Sequence, residues 1–247
     1  MAMAENISDN WRRIPYRCDR RRLLATLGLA ASTLATPLVA EEPQPQEPAP
    51  KDPTDALARL KAGNARFADG KTRHAHESAD WRKHLVGEQK PLATILGCSD
   101  SRVPPELVFD QGFGDLFVVR VAGNVIAADV VASLDYAARH LGTRLFVVMG
   151  HTGCGAVTAA LDAKLKKAKE PERIEALVKL IEPGLKDLDP NAAYPTALAA
   201  AVEANVRWSV RQFAGLTGVK EAIRDRQIMV TGAIYELDTG RVRFLTL

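Results

Sequence analysis

Two short apolar runs, Leu92-Ala-Thr-Ile-Leu-Gly97 and Leu145-Phe-Val-Val-Met-Gly150, stand apart from the amphipathic remainder of the chain. They are rich in β-branched residues and lack polar alternation, the pattern of strands buried on both faces of a parallel sheet. Leu116-Phe-Val-Val-Arg-Val121 reads as a third strand, and Gln227 to Ile234 with Arg241 to Leu247 as a closing strand and hairpin around Asp238-Thr-Gly240. Between these runs the apolar period lengthens to that of helices. One helix is expected from Thr54, a plausible N-cap, with Ala56, Leu57, Leu60, Asn64 and Phe67 on one face and Gly70 as its stop.

Pro104-Pro105 suits a turn into a short helix, and Asp129 to Leu141 predicts a helix closed by Gly142. From Ala156 the chain turns helical, with one stripe at Ile174, Leu177, Val178 and Ile181 ending at Pro183. A second stripe starts at Pro195 and runs through Leu198, Val202, Val206, Val210 and Phe213 to Gly215. Such stripes are core or subunit-contact faces. Strands alternating with helices predict an α/β fold, a central mainly parallel sheet flanked by helices. There is no internal repeat.

Composition changes this picture at the amino terminus. Residues 1–40 hold six Arg against three acids, and the other residues carry 27 basic and 27 acidic side chains. A balanced remainder gives no argument for nucleic acid or a membrane surface as partner. Asp19-Arg-Arg-Arg-Leu-Leu24, a moderately apolar stretch from Leu23 to Val39, and the small-residue site Leu38-Val-Ala40 resemble a twin-arginine export signal. Pro37 and several Ser and Thr interrupt the apolar stretch, so cleavage and a periplasmic protein are expected, without stable membrane insertion. Residues 41–53, rich in Pro, Glu and Gln, read as a solvated linker. A single domain is then expected over 54–247.

Candidate chemistry sits at the ends of the two most apolar runs. Cys98-Ser-Asp100-Ser-Arg102 follows the first and His151-Thr-Gly-Cys154-Gly the second, which places thiolates and an imidazole at the carboxyl ends of strands, where open α/β sheets bind ligands. Two Cys and one His are ligands zinc prefers, and they leave a tetrahedral ion one position open, as a catalytic zinc requires. The third cysteine, Cys18, lies in the export segment. A disulfide or redox pair is the competing use of Cys98 and Cys154, and it gives His151, Asp100 and Arg102 no role. His74 and His76 lie in a polar stretch and are expected to be solvated loop histidines.

Two thiolates offset the charge of Zn²⁺ and leave its water less acidified than three imidazoles would. A helper is therefore useful: Asp100 can accept a hydrogen bond from that water while Arg102 keeps Asp100 ionised.

Cys98-Ser-Asp-Ser-Arg-Val103, Gly114-Asp-Leu-Phe-Val-Val-Arg120, Ala122-Gly-Asn124 and Gly150-His-Thr-Gly-Cys-Gly155 together resemble the β-class carbonic anhydrases. Weaker matches at Gly63-Asn-Ala-Arg-Phe67, Gly232-Ala-Ile-Tyr235 and Thr239-Gly240 extend the resemblance over about Asp55 to Leu247. The resemblance implies one zinc per chain and reversible hydration of CO2 to bicarbonate and a proton by zinc-bound hydroxide. It assigns catalytic roles to Asp100 and Arg102 and substrate-site roles to Gln89, Phe117, Tyr136 and the Gly155 backbone N–H. It also implies a homodimer or dimer of dimers in which some of these residues come from the neighbouring subunit. Val121 stands where the family usually has Asn, and Ile95 where members with a closed zinc site typically carry Trp, so Asp100 is expected to rest on Arg102. Two other readings are compatible with the motifs: hydrolysis of another small linear molecule such as carbon disulfide, and a non-catalytic zinc or bicarbonate-binding regulator.

Overall fold

A computed structural model describes residues 48–246. The expected export signal, the first part of the linker and the terminal Leu247 lie outside the described residues. Among the described residues, no helix is long and apolar enough to cross a membrane.

The first helix, α1, spans Pro53–Ala68. Its N-cap is Asp52 and not Thr54: the Asp52 carboxylate accepts from the N–H groups of Thr54 and Asp55 at 2.7 and 2.9 Å. Pro53 occupies the first helical position, where its missing N–H costs nothing, and this moves the cap back by two residues. α1 buries Ala56, Leu60 and Asn64. The Asn64 amide donates to the Val108 and Gly240 carbonyls while its oxygen accepts from Val242 N–H, so α1 is tied to both ends of the sheet's neighbouring elements. A short α2 (Ala79–His84) follows, capped by Ser78.

The remaining elements run β1 (Ala93–Gly97), α3 (Pro105–Val108), β2 (Leu116–Arg120), α4 (Ala128–His140), β3 (Leu145–His151), α5 (Gly155–Lys166), α6 (Glu172–Ile181), α7 (Tyr194–Ala214), α8 (Thr217–Arg224), β4 (Met229–Tyr235) and β5 (Val242–Phe244). The sheet order is β2-β1-β3-β4-β5, with four parallel strands and β5 antiparallel on β4. Neither α2 nor α8 is among the helices expected from the sequence: α2 buries nothing, and α8 is a short helix of which only Val219 is buried.

Strand side chains alternate between faces, and the two cores follow from that alternation. Leu96, Phe146, Val148 and Ile234 pack with residues of α4 to α8 on one face. Ile95, Val147, Met149 and Tyr235 pack with α1 and the α3 region, including Leu60, Val108 and Phe109, on the other. The β1–β2 connection therefore lies on one face and the β3–β4 connection on the opposite face. Their divergence opens a crevice at the carboxyl ends of β1 and β3, the switch point where such sheets take ligands.

His76 departs from the expectation of a solvated loop histidine. Its Nδ1 lies 2.8 Å from Asp115, and its ring stacks on Trp81 with centroids 4.1 Å apart. His74 is exposed.

Candidate metal centre

Cys98 follows β1 and His151 ends β3, on neighbouring central strands where Gly97 aligns with Met149. Gly153, at φ 66°, turns the chain back so that Cys154 becomes the N-cap of α5. All three side chains are buried, and their donor atoms lie within 4.8 Å of one another, with the two Sγ atoms 3.9 Å apart.

His151 Nδ1 donates to the Thr152 carbonyl at 3.0 Å, which leaves Nε2 as the unprotonated nitrogen. That Nε2 is buried and has no hydrogen-bond partner, a costly arrangement for a group with nothing to bind. Thr152 is itself fixed, its N–H donating to Tyr235 O and its hydroxyl accepting from Leu237 N–H.

The thiols tell the same story. Cys98 is pulled down to about 4, first by the hydrogen bond shared with Cys154 and then, against burial, by His151 and by the N–H groups of Gly123 and Asp100. Cys154 is pushed strongly up, by its bond to Cys98 and then by burial. The charge belongs to the pair: one thiolate is accommodated and a second is resisted. A divalent cation removes that resistance. Two sulfurs and a free imidazole nitrogen form a donor set that fits Zn²⁺.

Asp100 stands beside this cluster, its Oδ2 3.8 Å from His151 Nε2. Arg102 donates to Asp100 three times, from its backbone N–H and Nε to Oδ1 at 3.0 Å each and from Nη2 to Oδ2 at 2.8 Å. That pairing, more than the opposing burial, holds the Asp100 carboxyl well below the usual carboxylate range. Asp100 thus rests on Arg102.

Three further groups shape the site. Arg120 donates from Nε to Cys98 O at 2.9 Å and from Nη2 to Asp100 O, clamping the loop from the end of β2. Gly123 N–H donates to Cys98 Sγ at 3.3 Å. Asn205, on α7, donates to the Gly123 carbonyl at 2.8 Å. Arg120 and Gly123 belong to segments that carry the resemblance, but no role could be read for them from sequence. Asn205 was missed, its only signal being a polar residue inside an apolar helical stripe.

The substrate residues inferred from resemblance are not gathered at the cluster within one chain. Gly155 is, as the first residue of α5. Phe117 pairs with Thr94, three residues before Gly97 pairs with Arg120, so it sits about 10 Å down the strands from the ligands. Tyr136 lies against Phe117, ring centroids 6.2 Å apart. Gln89 and Tyr136 share an open groove with Leu85, Val86 and His140 that includes none of the metal ligands.

The carbonic anhydrase family model matches residues 93–242. "Carbonic anhydrase 2" of Mycobacterium tuberculosis is 38% identical over 198 residues, covering 77% of this chain and 91% of that protein. A Coccomyxa β-carbonic anhydrase solved in complex with acetazolamide superposes with a TM-score of 0.59 at 27% identity, over 76% of this chain and 86% of that one. A tetrameric β-carbonic anhydrase of Sordaria macrospora shares the fold with a TM-score of 0.63 at 24% identity, over 78% and 98% of the two chains. With a family match that runs from β1 through β4 and a buried donor set suited to zinc, the chain belongs to the β-class carbonic anhydrases, zinc enzymes that hydrate CO2 reversibly to bicarbonate.

Proposed function

We propose that in this carbonic anhydrase Cys98, His151 and Cys154 hold the zinc while Asp100 and Arg102 prepare the reacting water. The bound ion supplies Lewis acidity, making water reactive near neutral pH. Asp100, ionised and immobilised by Arg102, would accept a hydrogen bond from a water held there and orient it toward CO2. Arg102 keeps the carboxylate charged and holds both of its oxygens in place beside His151. The Gly155 N–H, at the start of α5, faces the substrate oxygen.

The observation that carries this reading is the placement of Asp100: both oxygens are engaged by Arg102, and one lies 3.8 Å from the unpartnered His151 Nε2. Stopped-flow CO2 hydration on zinc-loaded protein tests it. Asp100→Asn should keep one zinc per chain and lose activity by about 10²–10³-fold, the usual worth of a positioned proton acceptor. Full activity in that variant would remove Asp100 from the mechanism.

Gln89, Phe117 and Tyr136 act across a subunit boundary in this reading. Val86 is 85% exposed and Tyr136 47%, and β2 is an apolar edge strand. Exposed apolar surface flanking such an edge suits a second copy of the chain, so a homodimer, or a dimer of dimers, is the active unit. The tetrameric Sordaria protein supports the larger assembly. The amino-terminal segment directs folded export to the periplasm by the twin-arginine route, which loads zinc before the thiols meet an oxidising compartment. Replacing Arg20 and Arg21 with Lys should leave zinc-bearing protein in the cytoplasm; unimpaired export would refute that route.

A further inference from the structure

Asn205 is 1% exposed on the face of α7 that packs against the sheet, among Ala201, Val202 and Val206. Burying an amide there is costly unless it is hydrogen-bonded, and its Oδ1 has no partner. Its Nδ2 makes one bond, to the carbonyl of Gly123, across 82 residues of sequence. Gly123 stands at φ 69° between Ile181 and Ala156, and its own N–H points at Cys98 Sγ. The two bonds form a line from α7 through one residue to a zinc ligand.

We infer that Asn205 is a positioning residue for the metal centre: it fixes the Gly123 peptides so that the N–H stays on the Cys98 sulfur. The inference rests on the zinc reading above and adds a tuning element to it. A thiolate that accepts an N–H bond donates less charge to its metal. With two thiolates already offsetting the charge of Zn²⁺, each such bond restores Lewis acidity where the donor set has reduced it. Asn205 thereby acts on reactivity through Gly123 and Cys98 without touching substrate. The buried amide is explained by that work, whereas Ser209, one turn further along α7 and also buried, has an unpartnered hydroxyl and no link to the site.

The test uses Asn205→Leu and Asn205→Ala in the full-length protein, with Ser209→Ala as the control, each loaded with zinc for kinetics and with cobalt(II) for spectra. The Asn205 variants should hold one metal per chain and move the sulfur-to-cobalt charge-transfer band to longer wavelength. The alkaline rise of kcat/KM should shift by about one pH unit to higher pH, the worth of one hydrogen bond to a charged sulfur. Ser209→Ala should do neither. Metal-loaded Asn205 variants with unmoved band and profile, or a control that moves both equally, would overturn the inference. If neither Asn205 variant folds, the wild-type protein carries the test: with ¹¹³Cd in the site and ¹⁵N-glycine, the Gly123 amide proton should show splitting from cadmium through sulfur. Absence of that splitting would equally overturn it. Wild-type protein that binds no metal would instead defeat the zinc reading itself, and with it this one.

Discussion

Gly123→Ala isolates how far the metal centre depends on one backbone conformation. Gly123 lies at φ 69°, and a Cβ there would sit 2.9 Å from Ile181 Cδ1 and 3.1 Å from Ala156 Cβ. A left-handed conformation costs a non-glycine residue about 1–2 kcal/mol, and pressing a methyl into a filled core adds about 1–3 kcal/mol. Ile181 is fully buried and Ala156 is two residues from Cys154, so neither gives way freely. The sum is a loss of about 2–5 kcal/mol, or roughly 4–20 °C in Tm for a domain of this size. Relaxation of the strain also carries the Gly123 N–H away from Cys98, and loss of a ligand's hydrogen-bond partner typically weakens metal affinity by about 10–100-fold. Urea unfolding of the metal-free protein measures the first effect, and competition with a chromogenic chelator measures the second. A variant within about 0.5 kcal/mol of wild type that keeps its metal affinity would refute the argument that this peptide supports the site.

Other outcomes follow from the same contacts. Because Arg102 depresses the Asp100 carboxyl, the ionised form persists through the ordinary carboxylate range and is lost only as pH falls through the lower folded value. A pH profile of kcat/KM should therefore show no acid limb between pH 5 and 7 attributable to Asp100; such a limb, abolished in Asp100→Asn, would contradict the pairing. Glu203 accepts from Arg243 on β5 and Arg207 on α7, and the Arg243 bond first, then Arg207, lowers its carboxyl. Its contribution is present above the ordinary carboxylate range and lost as pH falls below it, so Glu203→Gln should lower Tm slightly at pH 7 and leave it unchanged near pH 2. Val86→Glu puts a charge on the most exposed large apolar side chain among the described residues; sedimentation should show smaller species and CO2 hydration should fall with them, and an active monomer would refute the shared-subunit reading.

The strands were legible in sequence because β1 and β3 are buried on both faces and so consist of continuous β-branched and apolar residues. The cluster of Cys98, His151 and Cys154 was legible because Cys98 and His151 stand where such runs stop and Cys154 follows three residues after His151. Short surface helices were not: α2 buries nothing, and the apolar stripe of α8, Val219, Ala222 and Ile223, spans only about one turn, too short to stand out from the chain around it. The α1 cap was misplaced because Asp52 and Thr54 flank Pro53 and both are good capping residues; only the backbone decides between them. His76 looked solvated because its partner, Asp115, is 39 residues away in sequence. Asn205 was hidden for a similar reason, its partner being a backbone carbonyl that leaves no mark in sequence. Gln89, Phe117 and Tyr136 matched the family by position, yet one chain keeps Gln89 and Phe117 apart from the cysteine–histidine cluster, so the role proposed for them requires a second subunit.

The claim on which the rest depends is that Cys98, His151 and Cys154 alone anchor a zinc ion with a fourth position left for water. X-ray absorption at the zinc edge, on purified protein near pH 7.5, addresses it most directly. The account predicts two sulfur neighbours at about 2.3 Å and two nitrogen or oxygen neighbours at about 2.0–2.1 Å, one of them imidazole. A zinc with fewer than two sulfurs, or with four protein ligands and no exchangeable position, would contradict it.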